Sequence, residues 1–207
     1  KTGRSKSKIA TVIFSTMYAL TAYAVVQQHN SMWIDAVMWL PIISYGIEQL
    51  IKYGRFRMYL IFLSLTLMSN FYIGYMVCFY VAAYFFYYYF ANNRDNKNNP
   101  YGERRHFIKS FARFGAYSLL SVGAAAVILL SAYYSLTFGK TTFTNPSWAF
   151  NFKFDVIDLL IKFLPGSYDT VRPEGLPFVY CGVLTLILIP VYFLSPKFTV
   201  REKVAAG

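Results

Sequence analysis

Long apolar runs separated by short clusters of lysine and arginine restrict this chain more than any other feature. Residues 9–28, 32–51, 58–90, 114–138 and 178–194 hold only two charged side chains between them, Asp35 and Glu48. A helix needs about 20 mostly apolar residues, at about 1.5 Å each, to cross a bilayer. Most of these runs reach that length, whereas a soluble core alternates apolar with polar faces. Composition agrees, with 57% of the 207 residues hydrophobic and only 14% charged, against about 25% in soluble domains. Aromatics make up 20%, suited to side chains that straddle lipid and headgroup. The expected fold is all-α: a polytopic transmembrane helical bundle forming a single transmembrane domain over residues 1–207.

Charge sets the expected topology, because cytoplasmic loops of membrane proteins are enriched in lysine and arginine. Lys1, Arg4, Lys6 and Lys8 precede the first run, and Lys52, Arg55 and Arg57 follow the second. Six more basic residues lie between Arg94 and Arg113, and Lys197, Arg201 and Lys203 follow the last run. The 33-residue run from Met58 to Phe90 would be about 50 Å long as one helix, well beyond a hydrocarbon core of about 30 Å. Basic clusters on both sides require it to cross an even number of times. Its polar interruption, Ser69-Asn70-Phe71-Tyr72-Ile73-Gly74, is where a short broken hairpin should turn. The total is about six crossings with both termini cytoplasmic. Residues 91–113 form a cytoplasmic loop and 139–177 an extracytoplasmic one. Sixteen of the 20 basic residues fall inside, leaving Lys140, Lys153, Lys162 and Arg172 outside. Within the outer loop Phe154, Ile157, Leu160, Ile161 and Leu164 recur at helical spacing, with Asp155, Asp158 and Lys162 on the opposite stripe. That pattern predicts a short interfacial amphipathic helix, ended by Pro165-Gly166.

The net charge of +11 excludes little by itself, but its clustering beside apolar runs points to membrane topology and to no nucleic acid. Cys78 and Cys181 both lie inside apolar runs without metal-ligand spacing, so they read as small hydrophobes, and no metal site is expected. No glycine-rich phosphate cradle occurs. The sequence starts with Lys1 and has no leader-like cleavage pattern, so a piece of a longer polypeptide is expected.

This topology gathers uncommon polar residues at one face. Gln27, Gln28, His29 and Asn30 form the first outer turn, Asp35 lies about one turn inside the second span, and Asn70 and Tyr72 occupy the hairpin turn. A carboxylate within a span is costly and marks function by default, although an acid near a helix start is also favoured by the helix dipole. Asn70 suits either a helix cap or a ligand contact. Glu48, four residues before Lys52, reads as a structural ion pair, and His106 beside Arg104 and Arg105 as part of a lipid-facing basic surface.

Several motifs resemble the bacterial YfhO membrane proteins. They are Asn30-Ser31-Met32-Trp33-Ile34-Asp35, Leu40-Pro41-Ile42, Gly46-Ile47-Glu48 and the hairpin turn with Tyr75-Met76. Further along come Gly166-Ser167-Tyr168-Asp169, Gly175-Leu176-Pro177 and Tyr180-Cys181-Gly182. The resemblance implies a GT-C-like glycosyltransferase of the bacterial plasma membrane. Such an enzyme takes a polyprenyl-phosphate-linked sugar as donor and an envelope glycopolymer, such as a teichoic acid, as acceptor. It implies that Asp35, Asn70 and Tyr72 line or border the outward active site. Together with the outer-turn placement, Asp35 is expected as a secondary or orienting carboxylate and His29, Asn30, Asn70 and Tyr72 as substrate contacts. The family's principal catalytic acid is expected upstream of Lys1, so this stretch alone is expected to be inactive. The competing reading is a transporter or flippase of lipid-linked glycans.

Overall fold

A computed structural model describes residues 8–91, 104–139, 156–164 and 180–206. Every regular element among the described residues is helical. The chain divides into two compact units, residues 1–29 with 149–195, and residues 30–148 with 196–207.

The second unit holds the principal core. Its helices are α3 (Ser31–Tyr53), α4 (Arg57–Ser69), α5 (Phe71–Ala91), α6 (Arg104–Ala124), α7 (Ala126–Gly139) and α10 (Val200–Ala206). Contacts fix their directions. Gly46 of α3 lies against Tyr59 of α4 while Asp35 meets Ser69, so α3 and α4 are antiparallel. Along α3 and α5 the pairs run Ser44 with Tyr80, Glu48 with Tyr84 and Lys52 with Tyr88, so those helices are parallel. The chain therefore reverses at Asn70, the expected hairpin turn. Phe85 stacks on Phe114 and Tyr89 bonds His106, which sets α6 antiparallel to α5.

Consecutive helices from α3 to α6 thus alternate in direction. One end of the unit carries Ser31 and Asn70. The other, the basic end, carries Lys52, Arg55, Arg57, Arg104, Arg105, Lys109 and Arg113, with the Arg113 guanidinium against Gly54. Gly54 ends α3 in the left-handed region at φ 71°, a conformation glycine adopts without strain.

Ile43, Ile47, Leu50, Leu63, Leu67, Val77, Val81 and Phe85 fill the core, while Ile61, Leu65, Phe79, Phe86 and Leu119 point outward. An apolar exterior of this extent is incompatible with water and matches lipid. Several serine and threonine hydroxyls within the bundle follow the rule for hydrocarbon, where polar groups are best satisfied internally. Ser44, Ser64, Thr66, Ser118 and Ser121 each donate to the carbonyl four residues earlier, at 2.7 to 2.9 Å. Tyr59 Oη shares a 2.6 Å hydrogen bond with Ser118 Oγ.

Helix lengths correct the count of about six crossings. Among the described residues two helices are long and apolar enough to span, α3 with 23 residues and α5 with 21. They become three if α6 and α7, bent by 67° at Ala125, form one broken span. The apolar helices α4 and α9 (Val183–Leu194) have 13 and 12 residues. At 1.5 Å per residue they reach about 20 Å, short of the hydrocarbon core. Apolar runs measure composition, but the backbone breaks inside them. The second run becomes α3 almost residue for residue. The basic residues from Arg104 to Arg113, expected in a loop, lie instead on the first turns of α6.

In the first unit the expected span over residues 9–28 is broken into α1 (Lys8–Ala19) and α2 (Ala22–Val26). Thr21 turns out of helix at ψ 148°, its hydroxyl donates to Tyr18 O, and the Ala22 amide donates to Tyr180 O at 3.2 Å. Tyr180 leads into α9 (Val183–Leu194), so two stretches far apart in sequence share this break. The helix expected in this outer segment is the six-residue α8 (Val156–Ile161). Ile157 and Leu160 are 75% and 65% exposed, whereas Lys162 is 1% exposed. The apolar stripe thus faces outward and the lysine is turned in, opposite to a solvated polar face. Asp155 and Pro165-Gly166 lie outside the described residues.

Candidate functional site

Asp35 is the fifth residue of α3, beyond the first turn where the helix dipole favours an acid most. Its half-buried carboxylate has a specific partner instead, since Ser69 Oγ donates to Asp35 Oδ2 at 3.0 Å. Ser69 is the last residue of α4, so this hydrogen bond sets Asp35 level with the hairpin turn.

The turn itself is built by Asn70. Its backbone is extended, at φ −152° and ψ 110°, and its Oδ1 accepts from the amides of Tyr72 and Ile73 at 2.9 and 3.2 Å. Asparagine suits this place because its short carbonyl reaches the free amides that open a helix. The Asn70 side-chain oxygen is therefore engaged as the cap of α5. Gly74 completes the reversal, for a Cβ there would sit 3.0 Å from Leu67 Cδ2 and 3.2 Å from Leu67 Cα.

Tyr72, 54% exposed, looks elsewhere. With Tyr75, Cys78, Leu129, Tyr133 and Leu136 it lines an apolar groove of about 590 Å³ between α5 and the bent α6–α7 pair. The expected residues thus separate: Asp35, with Ser69 and Asn70, marks the meeting of α3 with the hairpin, and Tyr72 faces the groove. Asn30 occupies the N-cap position of α3, with no hydrogen bond from its side chain to the helix start, and its carbonyl accepts from Trp33 N at 2.9 Å. His29 is exposed and ends the N-terminal stretch of the first unit, whereas Asn30 begins the second.

Two residues assigned structural roles from sequence have different partners. Glu48 Oε1 accepts from Tyr84 Oη at 3.1 Å, and Lys52 Nζ lies 5.4 Å from the Tyr88 ring centroid. Both charges turn to the tyrosines of α5, where the expectation was an ion pair. His106 is half-buried, bonded through Nδ1 to Tyr89 Oη at 3.1 Å and stacked on that ring, so it joins α6 to α5 and does not face lipid.

Sequence reading missed Ser69 as the partner of Asp35 and missed the α6–α7 groove. The serine adjoins Asn70 and could have been noticed; the bend at Ala125 has only a weak signal, a small-residue stretch from Gly123 to Ala126. Among the described residues, no group of three or more His, Cys, Asp or Glu could hold a metal ion. Cys78 and Cys181 are free.

Lipid-length helices with apolar exteriors, serine and threonine hydroxyls bonded back to their own helices, and a basic end define an integral membrane protein. The family model described as bacterial membrane protein YfhO matches residues 1–207, and the chain belongs to that family. No curated protein and no solved structure matches it.

Proposed function

We propose that this chain is part of an integral membrane glycosyltransferase that moves sugar from a polyprenyl-phosphate carrier to an envelope glycopolymer on the extracytoplasmic side. The observation that carries the reading is the Asp35 carboxylate, held by Ser69 beside the hairpin turn at the end of the unit opposite its arginines. By the positive-inside rule the basic end faces the cytoplasm and Asp35 the outside. In such a transfer the acceptor hydroxyl loses its proton as its oxygen bonds the anomeric carbon. The bond from that carbon to the carrier phosphate breaks, and the phosphate leaves with the electron pair. A carboxylate orients the attacking hydroxyl or accepts its proton, and Asp35 fills the orienting role. Tyr72, at the mouth of an apolar groove, suits contact with the carrier lipid.

The test is transfer of labelled sugar in membranes with matched amounts of the complete protein. Asp35→Asn is expected to cut turnover by about 100-fold, the typical size of such a contribution. Glu48→Gln, near the basic end, should leave it within a few-fold. Full activity of folded Asp35→Asn would remove Asp35 from the reaction.

A second reading, a transporter or flippase of lipid-linked glycans, draws on the short α4 and the 67° break between α6 and α7, since interrupted helices are the usual substrate-binding elements of transporters. Movement of labelled lipid-linked glycan across vesicles without sugar transfer would favour it.

A further inference from the structure

At the basic end, the last turns of α3 and the start of α4 enclose a groove of about 560 Å³, within the size range of small-molecule sites. Its wall is amphiphilic: Tyr45, Phe56 and Met58 supply apolar surface, Gln49 a side-chain amide, and Arg55 and Arg57 the positive charge. A third guanidinium, that of Arg113 on α6, packs against Gly54 in the same turn, near enough that a Cβ there would lie 2.7 Å from an Arg113 terminal nitrogen. Arg55 rests 5.7 Å from the Tyr53 ring centroid, a contact that steadies the side chain without neutralising it.

Among the described residues the charge here is unbalanced. The carboxylate on this stretch of α3, Glu48, accepts a hydrogen bond from Tyr84 on α5. Phe56, in the N-cap position of α4, has no side-chain acceptor for the amides that open the helix. Anionic charge is therefore what the groove lacks. The apolar wall separates the two sources of such charge, for a free phosphate would leave Tyr45, Phe56 and Met58 bare, whereas a phospholipid would set glycerol and the first acyl carbons against them. Helix α3 places this groove at a membrane surface, where acyl chains lie on one side and headgroups on the other.

We infer that this groove is a binding site for an anionic phospholipid of the leaflet at the basic end, with the phosphodiester between Arg55 and Arg57 and the acyl region along Tyr45, Phe56 and Met58. The site is separate from the proposed sugar-transfer face and does not rest on that reading.

The experiment uses the full-length protein, purified in detergent and stripped of lipid. Binding of short-chain phosphatidylglycerol, phosphatidylcholine and inorganic phosphate is followed by native mass spectrometry and thermal midpoint. Phosphatidylglycerol should bind and raise the midpoint; phosphatidylcholine and phosphate should not. Charge at a membrane surface is worth about 1 kcal/mol per arginine, so R55Q/R57Q should weaken phosphatidylglycerol by about 30-fold, at tenfold per 1.4 kcal/mol. Both arginines are exposed, and an unchanged midpoint without lipid would show that the variant is folded. Met58→Trp, which fills the apolar part, should weaken lipid binding with all arginines present. R104Q/R105Q, on the first turn of α6, should not. The inference fails if folded R55Q/R57Q binds as well as the parent, if phosphatidylcholine binds equally, or if phosphate alone reproduces the shift. It fails also if R104Q/R105Q loses as much, since the effect would then be diffuse surface charge.

Discussion

Gly46→Ala gives the sharpest test of the packing described above, because a single added methyl group sets two opposing effects against each other. In a helix interior alanine is favoured over glycine by about 1 kcal/mol. At Gly46, however, a Cβ would sit 2.7 Å from Tyr59 N and 2.8 Å from Tyr59 Cα, both backbone atoms that no rotamer change can move. Ordinary contact is about 3.5 to 4.0 Å, so α3 and α4 must separate locally by about 0.8 Å. A gap of that size forfeits roughly a quarter to a half of the dispersion attraction of the side chains lining it. Those include Ile43, Ile47 and Leu63, all fully or almost fully buried. It also pulls on the 2.6 Å hydrogen bond from Tyr59 to Ser118, which ties α4 to α6. Overpacking costs about 1 to 3 kcal/mol; against backbone atoms the upper part of that range, about 2 to 3 kcal/mol, applies, and the helical gain of about 1 kcal/mol leaves a net loss of about 1 to 2 kcal/mol. Gly115 on α6 is the internal control, for a Cβ there meets nothing within 4 Å. Thermal unfolding of the detergent-solubilised protein should show Gly46→Ala lowered by about 2 to 8 °C and Gly115→Ala unchanged or raised. A Gly46→Ala protein as stable as Gly115→Ala would refute the close approach of α3 to α4 and the helix directions deduced from it.

Ser69→Ala removes the donor to Asp35 while keeping the carboxylate; under the proposed function it should lower sugar transfer less than Asp35→Asn, and an unaltered rate would show that the hydrogen bond does not position the acid. Asn70→Ala deletes the cap of α5 and should cost about 1 kcal/mol, with Asn70→Asp recovering most of it; equal thermal midpoints for the two variants would contradict the capping role. A double-mutant cycle of Tyr59→Phe with Ser118→Ala should give a coupling of about 0.6 kcal/mol, up to about 1.7, as for other hydrogen bonds between membrane helices; strict additivity would discount that bond. Single cysteines replacing Ser31 and Arg55, in a protein lacking Cys78 and Cys181, should react with an impermeant thiol reagent from opposite sides, the first from outside intact cells; labelling of Arg55→Cys alone would invert the topology.

The amino-acid sequence determined those features that depend on neighbours along the chain. Apolar runs marked α3 as a membrane helix and residues 58–90 as a reversing pair of helices, since a helix in lipid satisfies its backbone within itself; that α5, the second arm, is long enough to span by itself was not visible. The polar interruption after Ser69 marked the reversal, because Asn70 caps the following helix through residues two and three positions away. Clusters of lysine and arginine marked one common end of the second unit. Other features waited on tertiary contacts. The break at Thr21 has its freed amide taken by Tyr180, some 160 residues later, so no local reading of residues 9–28 could place it. Lys162, one of four basic residues assigned to the outer face, is buried, while Ile157 and Leu160 on the helix just before it are exposed, an arrangement set by the contacts around it and not by spacing along the chain. Glu48 and Lys52 are spaced as an ion pair along one helix, yet α5 lies alongside and gives each a tyrosine. Asp35 was visible as an unusual carboxylate, but its partner Ser69 is 34 residues away, brought close only when α4 folds back along α3. Helix spacing is written in the sequence; which helix faces which is settled by close packing, where one glycine opposite one tyrosine fixes the register.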